Sequence, residues 1–432
     1  MSTQPELTVR TDRRLIRAGG RSERFLLVEL TAPTTPRDPN RRRPPVNLAF
    51  VVDRSGSMAA RGKLDLARQA VQEALARLES DDRFSVVVYD DHVDVVAPSE
   101  RASGPARANA AAAMAGIGPG GSTDLGGGWL AGCGQVAEHL MRDGINRCLL
   151  LTDGLANVGM IDAGELGGHA AELRARGVST TTFGVGEDFD ESLLQSMADA
   201  GGGHFYFIGS LPEIRDHITG EVGEALEIVA RDVVLEITAP ESVEIESMTP
   251  FRVTRKGSRT LIQLGDLVSG QVLRLVLRLR FPYGEVGREI GALVGLSDRD
   301  DVFRTAAPAL APVAVAWAYD EHVRNDRQPR DGEVDRAVAE VFAARARQEA
   351  VRLNRTGQFD AASQALAGVA RRVGEYAGSD PAMLGVAAEL DQEAATFAAP
   401  MPEMSLKEVH YAASNTMRAR TADGKAVKRP GA

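Results

Sequence analysis

Asp53, Ser55 and Ser57 alternate in the segment Asp53-Arg54-Ser55-Gly56-Ser57-Met58, so one abrupt turn can point three side-chain oxygens at a common centre. Gly56 permits the tight path. Two further segments carry oxygens of the same kind. Pro119-Gly120-Gly121-Ser122-Thr123-Asp124 is a glycine-rich loop ahead of a helix, and Leu149-Leu150-Leu151-Thr152-Asp153-Gly154 ends an apolar run in a carboxylate. Two aspartates and three hydroxyls, with no clustered His or Cys, form a donor set for a hard cation such as Mg²⁺, Mn²⁺ or Ca²⁺ rather than zinc. Asp124 reads as a carboxylate at a helix N-terminus and not as a ligand.

Convergence of these segments requires strands that end on one side of a sheet. Val46–Asp53 (VNLAFVVD) is a continuous apolar run, as a strand buried on both faces should be. From residue 46 to 228, strands (Phe84–Tyr89, Cys148–Thr152, Val178–Val185, His204–Ile208) alternate with helical stretches (Lys63–Glu79, 105–116, Leu125–Met141, Ala163–Arg176, Glu191–Ala200, Leu211–Ile228). That order predicts an α/β, doubly wound parallel sheet, whose ligands sit at the carboxyl ends of its strands. The run Gly126-Gly127-Gly128 fits either a mobile Thr123 loop or a closely packed helix.

Residues 231–307 read as antiparallel strands, with Arg274–Phe281 alternating strictly and therefore wet on one face. The strand-like segments of residues 1–45 lack partners of their own and are expected to pair with this block, so that the α/β domain (46–228) is inserted in an antiparallel β-sandwich (1–45 and 229–307). Residues 33–45 form a Pro- and Arg-rich linker in which Arg41-Arg42-Arg43 reads as a solvated loop. A helical region, 308–400, follows, with long helices over Ala309–Asn325 and Asp331–Asn354 and a hairpin partner over Asp360–Tyr376. The tail, 401–432, is polar and basic and is expected to be flexible.

The Asp-x-Ser-x-Ser segment after the first long strand, the Thr in a Gly-Gly-Ser-Thr loop and the Thr-Asp-Gly at a later strand end resemble the metal-ion-dependent adhesion site (MIDAS) of bacterial von Willebrand factor A (VWA) domains. Phe183–Phe189 and Leu193–Tyr206 are similar to the family's later strands and helix. Leu264-Gly265-Asp266-Leu267 and the strand after it are similar, more loosely, to bacterial VWA proteins of the calcium-activated-chloride-channel-like group. The resemblance implies that Ser55, Ser57 and Thr123 ligate a cation directly, Mg²⁺ before Mn²⁺ or Ca²⁺, and that Asp53 and Asp153 act through water. It also implies an open position for an Asp or Glu of a partner protein. The expected function is a cation-dependent protein–protein interaction module, an adaptor beside ATPase-linked, stress or defence complexes. The alternative is a self-assembling scaffold whose own acidic residue or tail fills the position.

Composition and motifs exclude other classes. The chain has 432 residues, 44% apolar and 25% charged, with a net charge of −10, a profile of globular domains and not of a general nucleic-acid binder. No secretory leader and no membrane span stand out, so a cytoplasmic location is expected. Cys133 and Cys148 read as reduced, buried thiols. Gly184-x-Gly186 lacks the third glycine of a dinucleotide site, no P-loop or Gly-x-Ser-x-Gly elbow occurs, and the seven histidines are scattered. No catalytic constellation is therefore expected, and the chain reads as a non-enzyme. Asp81-Asp82 and Asp90-Asp91 read as solvated turns, Asp298-Arg299-Asp300-Asp301 as a β-turn, and Trp129 and Trp317 as core residues on helices.

Overall fold

A computed structural model describes residues 4–34, 43–306 and 308–429. The chain separates into two compact units, 38–228 and a discontinuous one of 1–37 with 229–432. It opens with β1 (Glu6–Thr11), β2 (Leu15–Arg17) and β3 (Ser22–Thr31). The α/β unit then runs β4 (Val46–Asp53), α1 (Lys63–Ala76), β5 (Arg83–Tyr89), β6 (Val93–Arg101), α2 (Gly104–Ala115), α3 (Leu125–Glu138), β7 (Ile145–Thr152), α4 (Ala163–Ala175), β8 (Ser179–Val185), α5 (Glu191–Gly201), β9 (Gly202–Ile208) and α6 (Glu213–Leu226).

Its six strands stand in the order β6-β5-β4-β7-β8-β9, all parallel except the edge strand β6, which runs antiparallel to β5. Every residue of β4 and of β7 is buried, which is why both are nearly unbroken apolar runs. The edge strand β6 was not apparent in the sequence, because it is polar and exposed along most of its length. The chain leaves β4 toward β5 and returns on its other side as β7, so the strand order reverses at the β4–β7 boundary. Ligands of open α/β sheets bind outside the strand ends at such a reversal. Helix α3 lies against β4, β5 and β7. A Cβ at Gly128 would stand 2.4 Å from the Tyr89 ring and one at Gly132 2.2 Å from Val51 Cγ2, so close packing is what these two glycines serve.

In the other unit the chain continues as β10 (Ile228–Thr238), β11 (Glu244–Ser247), β12 (Arg252–Lys256), β13 (Arg259–Val268), β14 (Val272–Phe281), β15 (Glu289–Ser297), the short α7 (Val302–Thr305), β16 (Val313–Asp320), the short α8 (His322–Arg327), α9 (Gly332–Arg355), α10 (Phe359–Ala377), α11 (Pro381–Phe397) and α12 (Glu403–Met417). Two sheets form, β1-β3-β14-β11 and β12-β13-β10-β15-β16-β2. The N-terminal strands do pair with the later block, β3 with β14 and β2 in parallel with β16, but they do not lack partners of their own, since β1 pairs with β3. Leu26, Val28, Leu275 and Leu277 of one sheet share a core with Leu235, Ile237, Val294 and Trp317 of the other. The face of β14 expected to be wet is partly covered: Val276 and Leu27 pack under Val334 and Val341 of α9.

Four expectations from the sequence are corrected. Ala309–Asn325 is not a helix but the strand β16 followed by α8, and Trp317 lies on that strand, its indole donating to Thr11 Oγ1 at 2.9 Å. The exposed-and-buried alternation of Val313–Asp320 is a strand pattern hidden by alanines, which favour neither period. Asp81-Asp82 is not simply a solvated turn: Asp82 is buried and accepts from Arg43 and from the Val46 and Glu79 amides. Arg43 is thereby docked and not merely solvated, while Arg41 and Arg42 of the same run lie outside the described residues. The region 401–432, expected to be flexible, contains α12 and, beyond it, the bridges Arg420↔Ala426 and Gln271↔Lys428. Its apolar residues are spaced to pack: Ala413 and Met417 pack on Ala344, and Leu406 joins the core of α9, α10 and α11.

Deleting residues 403–432 exposes several side chains worth about 1.5–3 kcal/mol each when large and fully buried. At a few degrees per kcal/mol, Tm should fall by at least about 5 °C. A differential scan that finds the truncated chain within a degree of the full one would show that α12 adds no stability.

Candidate metal centre

Asp53 is the last residue of β4, and Asp153 directly follows β7, so neighbouring strands deliver two carboxylates to one rim; both are fully buried. Each is held from several sides. Asp53 Oδ1 accepts the Ser55 amide at 2.7 Å and Oδ2 the Thr152 hydroxyl at 2.7 Å. Asp153 Oδ1 accepts the Ser57 hydroxyl at 2.6 Å and Oδ2 the Lys63 ammonium at 2.5 Å. Ser55 and Ser57 hydroxyls lie 3.1 Å apart.

Backbone hydrogen bonds tie the three oxygen-bearing loops together. Gly120 N donates to Arg54 O at 2.6 Å and Gly56 N to Gly121 O at 3.1 Å, joining the Asp53 loop to the glycine-rich loop. Asn157 and Val158 amides donate to Thr123 O at 3.2 and 3.3 Å, while the Thr123 amide donates to Asn157 Oδ1 at 2.9 Å, joining that loop to the exit of β7. A Cβ placed on Gly154 would stand 3.7 Å from Ser57 Oγ and 3.8 Å from Thr123 Oγ1. The two hydroxyls therefore converge beside Gly154, next to Asp153.

Asp90, read from the sequence as a solvated turn, is instead a buried anchor of this rim. Its carboxylate accepts the His92 and Gly121 amides and the Arg54 guanidinium, and its carbonyl accepts the Asp124 amide. A Cβ at Gly120 would fall 1.7 Å from Asp90 Oδ2, so the loop can approach only as glycine. Asp124 caps α3 by accepting Gly127 N at 2.9 Å and points away from ligand duty. Lys63, Thr152 and Asn157 were also not singled out from the sequence. The signal for Asp90 was there, since it follows β5 as Asp153 follows β7. Lys63 could have been flagged as a cation in a helix's first turn.

The donor chemistry fits a hard divalent ion: hydroxyls and carboxylates on a compact rim, two of the hydroxyls converging beside Gly154. Among the described residues, clusters of His and carboxylate ligands that could hold a metal occur elsewhere, at Asp90-Asp91-His92 and at His204-Glu221-Glu224. The second is a structural knot: the Glu221 carboxylate already accepts from Arg147, Thr181 and Tyr206 and meets His204. Asp298 and Asp300 likewise serve local bonds, to the Asp300, Val302 and Phe303 amides and to Arg231. Cys133 and Cys148 are free and buried.

Doubly wound sheet, oxygen rim and glycine-rich loop together define a VWA domain. The family model for the von Willebrand factor type A domain matches residues 47–219, so this chain carries a VWA domain, a fold common among protein–protein interaction modules. The uncharacterized protein YfbK of Escherichia coli (strain K12) is 33% identical over 195 residues, 45% of this chain and 34% of that one. The uncharacterized protein sll0103 of Synechocystis is 26% identical over 281 residues, 62% of this chain and 64% of that one. The chain thus spans a third to under two thirds of the length of these curated relatives. The whole architecture recurs in a solved structure titled von Willebrand factor type A from Catenulispora acidiphila, with TM-score 0.68, 19% identity and coverage of 99% and 98%. It recurs again in the ArnB paralog VWA2 from Sulfolobus acidocaldarius, with TM-score 0.60, 14% identity and coverage of 99% and 100%.

Burial, together with the charge of Asp153, raises the Asp53 carboxyl to about 6, against the pull of the Ser55 and Thr152 hydrogen bonds. The folded chain therefore holds this proton more tightly than the unfolded chain does. In EDTA, its contribution to stability is greatest at low pH and is lost as pH rises from about 4 through about 6. Asp53→Asn should remove that slope, gaining roughly 2–3 kcal/mol over the native chain between pH 4 and 7.5 in chelator. Parallel pH profiles of unfolding for the two proteins would contradict a buried charge at this position.

Proposed function

We propose that this chain is a non-enzymatic adaptor that grips an Asp or Glu of a partner protein through a divalent cation, Mg²⁺ before Mn²⁺ or Ca²⁺, at the β4–β7 rim. The observation that carries the reading is the convergence of the Ser57 and Thr123 hydroxyls beside Gly154, with Ser57 bonded to the buried Asp153. Ser55, Ser57 and Thr123 would hold the ion, with Asp53 and Asp153 behind them through water. When bound, the ion supplies positive charge and an open coordination position to an incoming carboxylate. The residues do the rest. Neutral hydroxyls cancel little of that charge, and the two carboxylates are partly spent on Ser55, Thr152, Ser57 and Lys63. The Thr123 loop is held by Asp90 and Asn157, so the donors stay in place.

An enzymatic reading has less support. The Ser55 and Ser57 hydroxyls bond one another and Asp153 and are not aligned on a histidine base. Self-assembly through the tail is also less favoured. Residues 420–429 are engaged at Gln271, Gly270 and Glu6 within their own unit. Among the described residues no helix is long and apolar enough to cross a membrane, and we place the chain in the cytoplasm as part of the same proposal.

In Mg²⁺, Asp53→Ala and Thr123→Ala should each lose at least about 90% of partner capture, as EDTA should for the native chain, with circular dichroism and Tm showing both variants folded. Undiminished capture by both folded variants would refute a metal-mediated grip. A change of oligomer size on chelation, with no partner captured, would instead favour self-assembly.

A further inference from the structure

Lys63 is the first residue of α1, reached through left-handed backbone at Arg61 (φ 54°) and Gly62 (φ 74°). A cation in the first turn meets the positive end of the helix dipole, which local electrostatics disfavour. What compensates is a long-range partner. The ammonium bonds Asp153 Oδ2 at 2.5 Å, with the lysine side chain 13% exposed and the carboxylate wholly buried. Gly186, in left-handed backbone at φ 81°, opens the opposite side, where a Cβ would already touch the ammonium at 3.8 Å. Helix formation alone does not call for lysine here, and only its charge answers Asp153.

Resting on the reading of this rim as a cation site, we propose that Lys63 is a resident counter-cation that weakens the hold on the divalent ion and couples ion uptake to an outside carboxylate. The charge count states why. As carboxylates, Asp53 and Asp153 bring two negative charges, and Lys63 cancels one. A divalent ion then leaves the rim one positive charge in excess, which an incoming Asp or Glu neutralises. Without the ammonium, the rim neutralises the ion unaided, and an incoming acid adds uncompensated negative charge. The groups share a carboxylate that is out of solvent, where screening is weak and like-charge repulsion is large. Lysine at this position therefore trades affinity for the ion against demand for the partner.

Mn²⁺ binding to the full chain at pH 7.5, measured by calorimetry in chloride and in acetate at equal ionic strength, tests this. Lys63→Met should bind Mn²⁺ at least about tenfold tighter than the native chain. Acetate should tighten Mn²⁺ binding to the native chain but have little effect on Lys63→Met. Lys63→Gln keeps a hydrogen bond to Asp153 without the charge; it should follow Lys63→Met if that variant folds poorly, and Lys63→Arg should behave as native. Equal or weaker Mn²⁺ binding by a folded neutral variant, or an unaltered acetate effect, would overturn the role of Lys63 alone, provided native binding is lost in Asp53→Ala. Failure of the native chain and of the neutral variants to bind Mn²⁺, or native binding that survives Asp53→Ala, would overturn the cation site itself and this inference with it.

Discussion

Two carboxylates buried at the ends of adjacent strands cannot stay charged there without help, and the rim of the α/β unit is organised around that constraint. Asp53 and Asp153 receive hydroxyls, an amide and an ammonium. The donors come from three places, so neutralising the pair also fixes the Ser55–Ser57 turn, the first residue of α1 and the end of β7. Burial of Asp53 still raises its proton affinity. A divalent ion is the natural counterpart of such a pair, because it supplies the missing positive charge without protonation.

The sheet topology turns this local chemistry into a surface. Reversal of strand order between β4 and β7 leaves the rim uncrossed by a helix connection at the point where both aspartates end their strands. The glycine-rich loop brings Thr123 to the same place because Gly120 can pass against Asp90 without a Cβ. The β-sandwich and the helices α9–α12 form a unit of their own around it in sequence, built on the pairing of β3 with β14.

Central strands were legible from the chain because burial on both faces demands unbroken apolar runs, and Val46–Asp53 and Ile145–Thr152 carry them. Partly exposed elements were less so. The strand β16 was lost among alanines, β6 at an exposed edge without an unbroken apolar run, and α12 among polar residues whose apolar neighbours are spaced to meet α9. For β16 and α12 the deciding term is packing against residues far away in the chain, which no local window contains, whereas β6 pairs with its neighbour β5.

The types and order of Asp53, Ser55, Ser57, Thr123 and Asp153 were determined by the sequence alone, since hard oxygens at strand ends limit the chemistry to hard cations. Only the tertiary structure decided which other residues meet them. Lys63, Asp90, Thr152 and Asn157 acquire their roles through contacts spanning about 30 to 100 residues, made by the closing of loops over the sheet. Charge compensation acts through space and not along the chain, so the partners of a buried carboxylate are chosen by the fold.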